Sequence, residues 1–220
     1  MPPYRPQDAG GTLRKSAIKP MRRRKFIGLL GWTFATVEAA LLLSHLPGPA
    51  AAQTTFPPEG SRVNFALTAA DGTAITEQSY RGKWLVIYFG YTFCPDVCPM
   101  TLTEIGDALD ALGPRAVAVR GLFVTIDPRR DTPSVLTEYL KSFDQRLIGL
   151  TGSPAQIAQA AKSFHVFYER RDTDDGNYSY DHSAFIYVLD PEARFARAIS
   201  SDGGSKQIAD TLAALTSAER

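Results

Sequence analysis

The chain has 220 residues, of which 44% are hydrophobic and 21% charged, as in an ordinary globular protein. Its formal net charge is +1, but residues 1–52 hold eight Lys/Arg and two Asp/Glu, which leaves 16 Lys/Arg, 21 Asp/Glu and a net charge of −5 in residues 53–220. A nucleic-acid-binding domain would need clustered basic residues there, so we expect no nucleic-acid partner. Two cysteines are also too few for a disulfide-rich scaffold.

The first 52 residues have the order of a targeting segment. Residues 1–20 are rich in Pro, Gly and basic side chains, and we interpret them as a disordered or spurious extension. Residues 21–52 begin with the basic run Met21-Arg-Arg-Arg-Lys-Phe-Ile27, continue as a mostly apolar stretch and end in Ala50-Ala-Ala52. This order predicts an export signal, and the paired arginines before Phe26 are typical of the twin-arginine type.

An uncleaved membrane anchor is the alternative for the same segment. The stretch over residues 26–46 is long enough to span a bilayer, although Glu38 near its middle is costly in lipid, on the order of 3 kcal/mol. Either alternative places the rest of the chain on the periplasmic side of a bacterial inner membrane. We expect a soluble protein after cleavage near Ala52, or one that is anchored by residues 26–46 and contacts the membrane only there.

After a linker at residues 53–61, strands and helices alternate along the chain. Hydrophobic periodicity and turn residues predict the following elements in order: a strand over 63–68 that forms a hairpin through Asp71-Gly72, a strand over 83–91, a helix over 99–112, a strand over 117–126, a helix over 132–143, a strand over 147–150, a helix over 153–164, a polar loop over 172–177, strands over 185–189 and 195–199 that form a second hairpin, and a helix over 205–215.

This order predicts an α/β fold, because strands that alternate with helices form a sheet that is covered on both faces. We expect a mostly parallel central sheet with helices on both faces, an extra N-terminal β-hairpin, and a C-terminal hairpin followed by a helix. The arrangement is thioredoxin-like with additions, and we assign it to residues 57–220.

The two cysteines, Cys94 and Cys98, lie between the strand over 83–91 and the helix over 99–112. Residues four apart at a helix start lie close together, so the two sulfurs can bind one soft metal ion or close a disulfide. The helix N-terminus favours the thiolate form. Thiolates select Cu(I), zinc or iron–sulfur clusters over hard cations. The pair is therefore predicted to be redox-active or metal-binding.

A third ligand is expected, because two thiolates leave copper or zinc under-coordinated. After residue 52 the chain has two histidines, His165 at a helix end among apolar residues and His182 directly before the strand over 185–189. In a thioredoxin-like fold the second position faces the cysteine loop, and thioredoxin itself has a cis-proline there. The sequence Asp181-His182-Ser183 replaces that proline with an imidazole, so His182 is the predicted ligand and His165 a packed or surface residue.

Two carboxylates are candidates for tuning the site. Asp127 follows the strand next to the cysteine strand, at the edge of the sheet where α/β proteins bind ligands. It could support the ligands by hydrogen bonding or only begin a turn. Asp181 is a candidate because it precedes His182. Asp131 is interpreted as part of the helix-capping sequence Asp131-Thr132-Pro133.

Five segments carry a family resemblance: Gly82-Lys-Trp84, Tyr88-Phe-Gly-Tyr-Thr-x-Cys94-Pro-Asp-x-Cys98-Pro, Val124-Thr-Ile-Asp127-Pro-x-Arg-Asp131-Thr-Pro133, Leu150-Thr-Gly152 and Tyr180-Asp-His182-Ser183. Their combination closely resembles the Sco/SenC/PrrC family over roughly residues 57–215. The resemblance implies a thioredoxin-like domain that binds copper, as Cu(I) or Cu(II), through Cys94, Cys98 and His182.

The same resemblance implies a role in cytochrome c oxidase assembly. The implied partner is the oxidase subunit that carries the CuA site, which would receive copper or have its cysteines reduced. Other periplasmic copper chaperones and thioredoxin-like reductants are further candidate partners. Some bacterial members resemble thiol-disulfide oxidoreductases or redox and copper sensors, so this enzyme or sensor function is the alternative to a metallochaperone. A structural zinc site and a peroxidase are weaker alternatives.

Overall fold

The computed structural model describes residues 55–174 and 176–217. The predicted extension at 1–20, the predicted signal or anchor at 21–52 and the first two residues of the linker at 53–61 lie outside these residues. Within the part of the chain that the structure describes, no helix has the length and apolar character needed to cross a bilayer.

The described residues contain nine strands and four α-helices. The strands are β1 (Ala66–Ala69), β2 (Ala74–Thr76), β3 (Trp84–Gly90), β4 (Val119–Thr125), β5 (Leu147–Thr151), β6 (Tyr168–Asp172), β7 (Tyr178–His182), β8 (Phe185–Leu189) and β9 (Phe195–Ser200). The helices are α1 (Val97–Leu112), α2 (Pro133–Leu140), α3 (Pro154–Phe164) and α4 (Gly204–Ser217), with short 3-10 helices at Gly113–Ala118 and Ser201–Gly203.

Seven of the strands form one mixed sheet in the order β2-β1-β5-β4-β3-β8-β9. Its centre, β5-β4-β3, is parallel, as strands joined by crossover helices must be. The flanking pairs β1-β2 and β8-β9 are antiparallel hairpins, and each joins the parallel centre through an antiparallel contact. The predicted α/β, thioredoxin-like class with an added hairpin at each end is confirmed.

The helices cover both faces of this sheet, and the alternation of side chains along β3 shows it. Tyr88 points to the face of α1, where its hydroxyl meets Cys98. Phe89, the next residue, points to the opposite face and packs on Phe164 of α3. Both aromatic rings are fully buried, because β3 is a central strand with every residue buried. The cysteine loop therefore directly follows a fully buried strand.

The start of α2 confirms the predicted helix-capping sequence, and α3 begins in a similar way. The Thr132 hydroxyl accepts the amide of Val135, and Ser153 and Gln156 form a reciprocal capping box. In both helices a proline occupies the first helical position, where its missing N–H has no cost.

The main difference from the predicted elements is the hairpin formed by β6 and β7. The sequence predicts a polar loop over 172–177 with no strand directly beside it, whereas the structure has two paired strands here that form a separate two-stranded sheet. Period-two apolar alternation is absent from β6 because its sequence, Tyr-Glu-Arg-Arg-Asp, lies mostly exposed. His182 consequently ends a strand and does not lie in a loop.

Candidate metal centre

The structure brings together the three residues that were predicted as metal ligands. The ligand atoms of Cys94, Cys98 and His182 all lie within 4.8 Å of one another. Both cysteines are free thiols, Cys98 is fully buried and Cys94 is 9% exposed, while His182 is half-buried. The group thus lies at the edge of the core with one side towards the surface.

Cys94 takes over the capping of α1. The helix begins at Val97 after Asp96, whose side chain makes no capping hydrogen bond. The amide of Cys98 instead donates to Cys94 Sγ, at 3.4 Å. The first turn of the helix therefore holds the Cys94 sulfur against Cys98, with a backbone N–H directed at it.

The two thiols differ in acidity because they are hydrogen-bonded to each other, which lowers the pKa of one and raises that of the other. The hydrogen bond from the Cys98 side chain, joined by hydrogen bonds from backbone amides, lowers the pKa of Cys94 to about 4 despite its burial. The same sulfur–sulfur hydrogen bond, together with burial and the neighbouring thiolate charge, raises the pKa of Cys98 above its ordinary range. In the metal-free protein the pair therefore carries one thiolate, on Cys94, and one thiol.

His182 presents its Nε2 atom to the sulfurs. Nε2 lies 3.5 Å from Cys98 Sγ, and Nδ1 lies 3.1 Å from the carbonyl oxygen of Ser183. Because a carbonyl only accepts hydrogen bonds, this contact places the ring proton on Nδ1 and leaves a lone pair on Nε2. That is the tautomer a histidine ligand needs, and a backbone carbonyl is a usual partner for its other nitrogen.

Aromatic side chains surround the histidine and the buried thiol. The rings of Tyr88 and Tyr91 pack edge-on against the His182 imidazole, with centroids 6.3 and 5.9 Å away. The Tyr88 hydroxyl also contacts Cys98 Sγ, at 3.8 Å. These rings exclude water from one side of the site and limit the orientations of the imidazole.

The donor set fits a soft or borderline metal ion. Two sulfurs and one neutral imidazole suit Cu(I), Cu(II) or zinc, whereas magnesium and calcium require oxygen ligands. Metal–sulfur bonds of about 2.3 Å and metal–nitrogen bonds of about 2.0 Å bring ligand atoms to within roughly 4 Å of one another. The observed grouping is close to that geometry without any rearrangement of the backbone.

Asp127 lies away from the sulfurs in a contact with the β6–β7 hairpin. Its carboxylate is fully buried, pairs with Arg130 and accepts the hydroxyl of Tyr178 at 3.1 Å. A supporting role for Asp127 stays a prediction, and these contacts indicate that it would act through the hairpin.

Asp181 faces away from the metal centre. Successive residues of a strand point to opposite sides, so Asp181 and its neighbour His182 on β7 cannot face the same way. The Asp181 carboxylate is 58% exposed and pairs with Arg171 on β6, at 2.8 Å. The suggested support of the ligands by Asp181 stays a prediction, with this surface ion pair as its only described contact.

Asp131 has a function that the capping interpretation missed. The cap of α2 is Thr132, and the buried Asp131 carboxylate accepts hydrogen bonds from the amide and hydroxyl of Thr92, at 3.0 and 2.6 Å, and from the hydroxyl of Thr125, at 2.6 Å. It therefore fixes the backbone two residues before Cys94. No sequence signal joins residue 131 to residue 92, because the contact forms only when β3 and β4 pair.

Gly90 provides the space for the Cys98 sulfur. A Cβ atom at Gly90 would lie 2.7 Å from Cys98 Sγ and 2.9 Å from a ring carbon of Phe123. Gly90→Ala is therefore expected to destabilise the domain by about 1–3 kcal/mol and to displace the sulfur. Urea unfolding and copper titration of the purified variant measure the two effects.

Gly121→Ala is the matched control for that substitution. A Cβ at Gly121 on β4 would overlap a methyl group of Leu147, at 2.5 Å, and touch neither cysteine. Both variants should lose stability, and only Gly90→Ala should also lose copper affinity. Equal copper affinity in both variants would contradict the assigned role of Gly90.

Comparison with known proteins places this site in a family. The profile of the SCO1/SenC family matches residues 54–217. The chain is 41% identical over 134 residues to the protein SCO1 homolog 1, mitochondrial, of Arabidopsis thaliana, covering 60% of this chain and only 40% of that protein. It is 39% identical over 151 residues to an SCO2-like protein of Rickettsia felis, covering 68% of this chain and 74% of the relative.

A solved structure agrees with these matches. Bradyrhizobium japonicum ScoI with copper bound is 42% identical, has a TM-score of 0.64, and is matched over 69% of this chain and 97% of that one. The family profile spans all the described residues, and the Cys-Cys-His group is formed by the residues that the sequence motifs predicted. The chain therefore belongs to the SCO1/SenC family.

Proposed function

We propose that residues 57–220 form a copper metallochaperone that binds copper through Cys94, Cys98 and His182. The observation that carries the proposal is the grouping of two sulfurs and one imidazole nitrogen within 4.8 Å. Copper bound to the related ScoI supports the choice of metal. The proposed receiving partner, suggested by the family resemblance, is the cytochrome c oxidase subunit that carries the CuA site.

Ligand exchange is the proposed route of delivery. Cys94 is the more accessible sulfur and Cys98 is fully buried. A cysteine of the receiving protein would first replace Cys94 or His182 on the copper ion, and Cys98 would be the last ligand to leave. Such a relay needs both cysteines reduced, because a disulfide offers no thiolate to the metal. We further propose that the protein works outside the cytoplasm.

Thiol-disulfide exchange is the second candidate function, and the low pKa of Cys94 favours it. The Cys94 thiolate would attack a disulfide of the receiving protein and form a mixed disulfide with release of one thiolate. Cys98 would then lose its proton and attack Cys94 Sγ. The receiving protein leaves with two thiols and has gained two electrons, and this chain, which has lost them, keeps a Cys94–Cys98 disulfide.

A reconstitution with the soluble CuA-containing domain of cytochrome c oxidase separates the two functions. In the first arm the acceptor is reduced and metal-free, and the chain carries copper; in the second the acceptor cysteines are oxidised and the chain is reduced and metal-free. Delivery predicts CuA absorbance in the first arm. Reduction predicts new acceptor thiols in the second arm alone. Failure of both arms would contradict the proposed function.

A further inference from the structure

The hairpin that carries His182 is not part of the main sheet. β6 and β7 pair only with each other, and every β6 residue after Tyr168 is exposed. An isolated two-stranded ribbon is marginally stable in water. Side-chain contacts between β7 and the body of the domain must therefore hold the ribbon in place over the cysteines.

One face of β7 makes those contacts. Tyr178, Tyr180 and His182 alternate along the strand and point to the body of the domain. His182 meets Cys98 and Tyr180 packs on the ring of Tyr91, with centroids 5.6 Å apart. The Tyr180 amide also donates to the Tyr91 hydroxyl, at 3.3 Å.

At the far end of the same face, Arg130 binds the hairpin in several ways. Its Nη1 donates to the carbonyl of Tyr178, at 3.0 Å, and to the side-chain oxygen of Asn177, at 3.2 Å. Its guanidinium stacks on the Tyr178 ring, 3.7 Å from the centroid. Arg130 thus contacts both the backbone and a side chain at the start of β7 through Nη1, and its forked guanidinium pairs with Asp127 through Nε at the same time.

The same guanidinium also contacts the cysteine loop. It lies 4.6 Å from the ring centroid of Phe93, the residue directly before Cys94. Asp127 fixes the guanidinium from the sheet side: its carboxylate pairs with Arg130 Nε and accepts the Tyr178 hydroxyl, and it is fully buried. One charged pair therefore joins the two parts of the chain that supply the metal ligands.

We propose that Arg130, held by Asp127, is a positioning residue that clamps the β6–β7 hairpin to the cysteine loop and so keeps His182 Nε2 over the two sulfurs. The proposal rests on the proposed copper site for its consequence. It also gives Asp127 a role, since this carboxylate reaches the site through Arg130 and Tyr178 and not by touching a ligand.

Two variants test the clamp. Arg130→Lys keeps a positive charge beside Asp127 but loses the forked donors and most of the stacking. The double variant Asp127→Asn, Arg130→Gln removes the clamp without leaving a buried, unpaired carboxylate. Where the double variant does not fold, Arg130→Lys decides. The controls are Arg129→Gln at the exposed neighbouring arginine, and Gly121→Ala for a general loss of stability.

The first readout is independent of copper. In the reduced, metal-free protein, NMR cross-peaks between the His182 and Tyr91 rings report the position of the imidazole. The second readout is Cu(I) affinity, measured by competition with a chromogenic chelator. We expect the cross-peaks to weaken and the affinity to fall about 10- to 100-fold in the double variant, as for other residues that orient a ligand, with Arg130→Lys in between.

The outcomes separate the clamp from the proposed function. Wild-type cross-peaks and affinity within twofold in both clamp variants, or the same losses in Gly121→Ala, would overturn the clamp. A wild-type protein that takes up no copper would overturn the proposed function, and the cross-peaks in the metal-free protein would still decide whether Arg130 positions His182.

Discussion

Substitution of His182 by Ala is expected to abolish tight copper binding while both thiols stay reactive. His182 Nε2 is the only nitrogen in the group of three ligand atoms, and without it two sulfurs remain for the metal. The imidazole is half-buried on a peripheral hairpin, so its loss should leave the core intact. Retention of copper after gel filtration, with free thiols counted by a chromogenic disulfide reagent, measures both parts of the prediction.

His165→Ala is the matched control for this experiment. His165 is an exposed residue that ends α3 in a left-handed backbone conformation, with a φ of 57°. Its removal should leave copper retention at the wild-type level. The three-ligand site would be wrong if His182→Ala kept its copper, or if the two histidine variants lost it equally.

Asp131→Ala is expected to destabilise the domain by about 3 kcal/mol or more. The carboxylate is fully buried and accepts three hydrogen bonds from Thr92 and Thr125. The two hydroxyls can rotate towards other acceptors, but the Thr92 amide cannot, and a buried donor without a partner costs about 1–3 kcal/mol. A cavity adds to this loss. Urea unfolding of the reduced protein, followed by circular dichroism, gives the free energy of unfolding.

Asp131→Asn should be much milder, within about 1 kcal/mol of the wild type, because an amide oxygen can still accept the Thr92 amide while its NH2 group donates to the Thr92 hydroxyl. Burial raises the pKa of Asp131 above 3.8. A raised pKa means that the charged form is disfavoured in the folded state, so this group's contribution to stability falls as pH rises from about 3.8 through the raised pKa. The neutral amide lacks that dependence. A loss as large as that of Asp131→Ala would contradict the hydrogen-bond argument.

The cysteine half of the site was predictable because local sequence determines it. A buried apolar run ends at Gly90, and regular apolar spacing follows Cys98, so the strand, the loop and the helix could each be assigned. The thioredoxin-like order of elements then placed His182 opposite the loop. The structure confirms the fold and brings these three residues together.

The residues that hold the metal ligands in position could not be predicted from the spacing of residues in the sequence. Strand β6 has charged residues where a strand pattern would need apolar ones, because it lies outside the core. Strand β7 does alternate, but its period-two signal covers only five residues. The contacts of Asp131 with Thr92, and of Arg130 with Phe93 and Tyr178, join distant parts of the chain. Such contacts follow from the tertiary fold and leave no periodic signal.

Copper uptake by the purified, fully reduced domain is the most direct test of the site formed by Cys94, Cys98 and His182. We expect one copper ion per chain after removal of unbound metal. With Cu(II) we also expect a visible sulfur-to-copper charge-transfer band, because two of the three proposed ligands, Cys94 and Cys98, are thiolates. A reduced, folded protein that retains no copper, or that retains Cu(II) without this charge-transfer band, would contradict the three-ligand copper site.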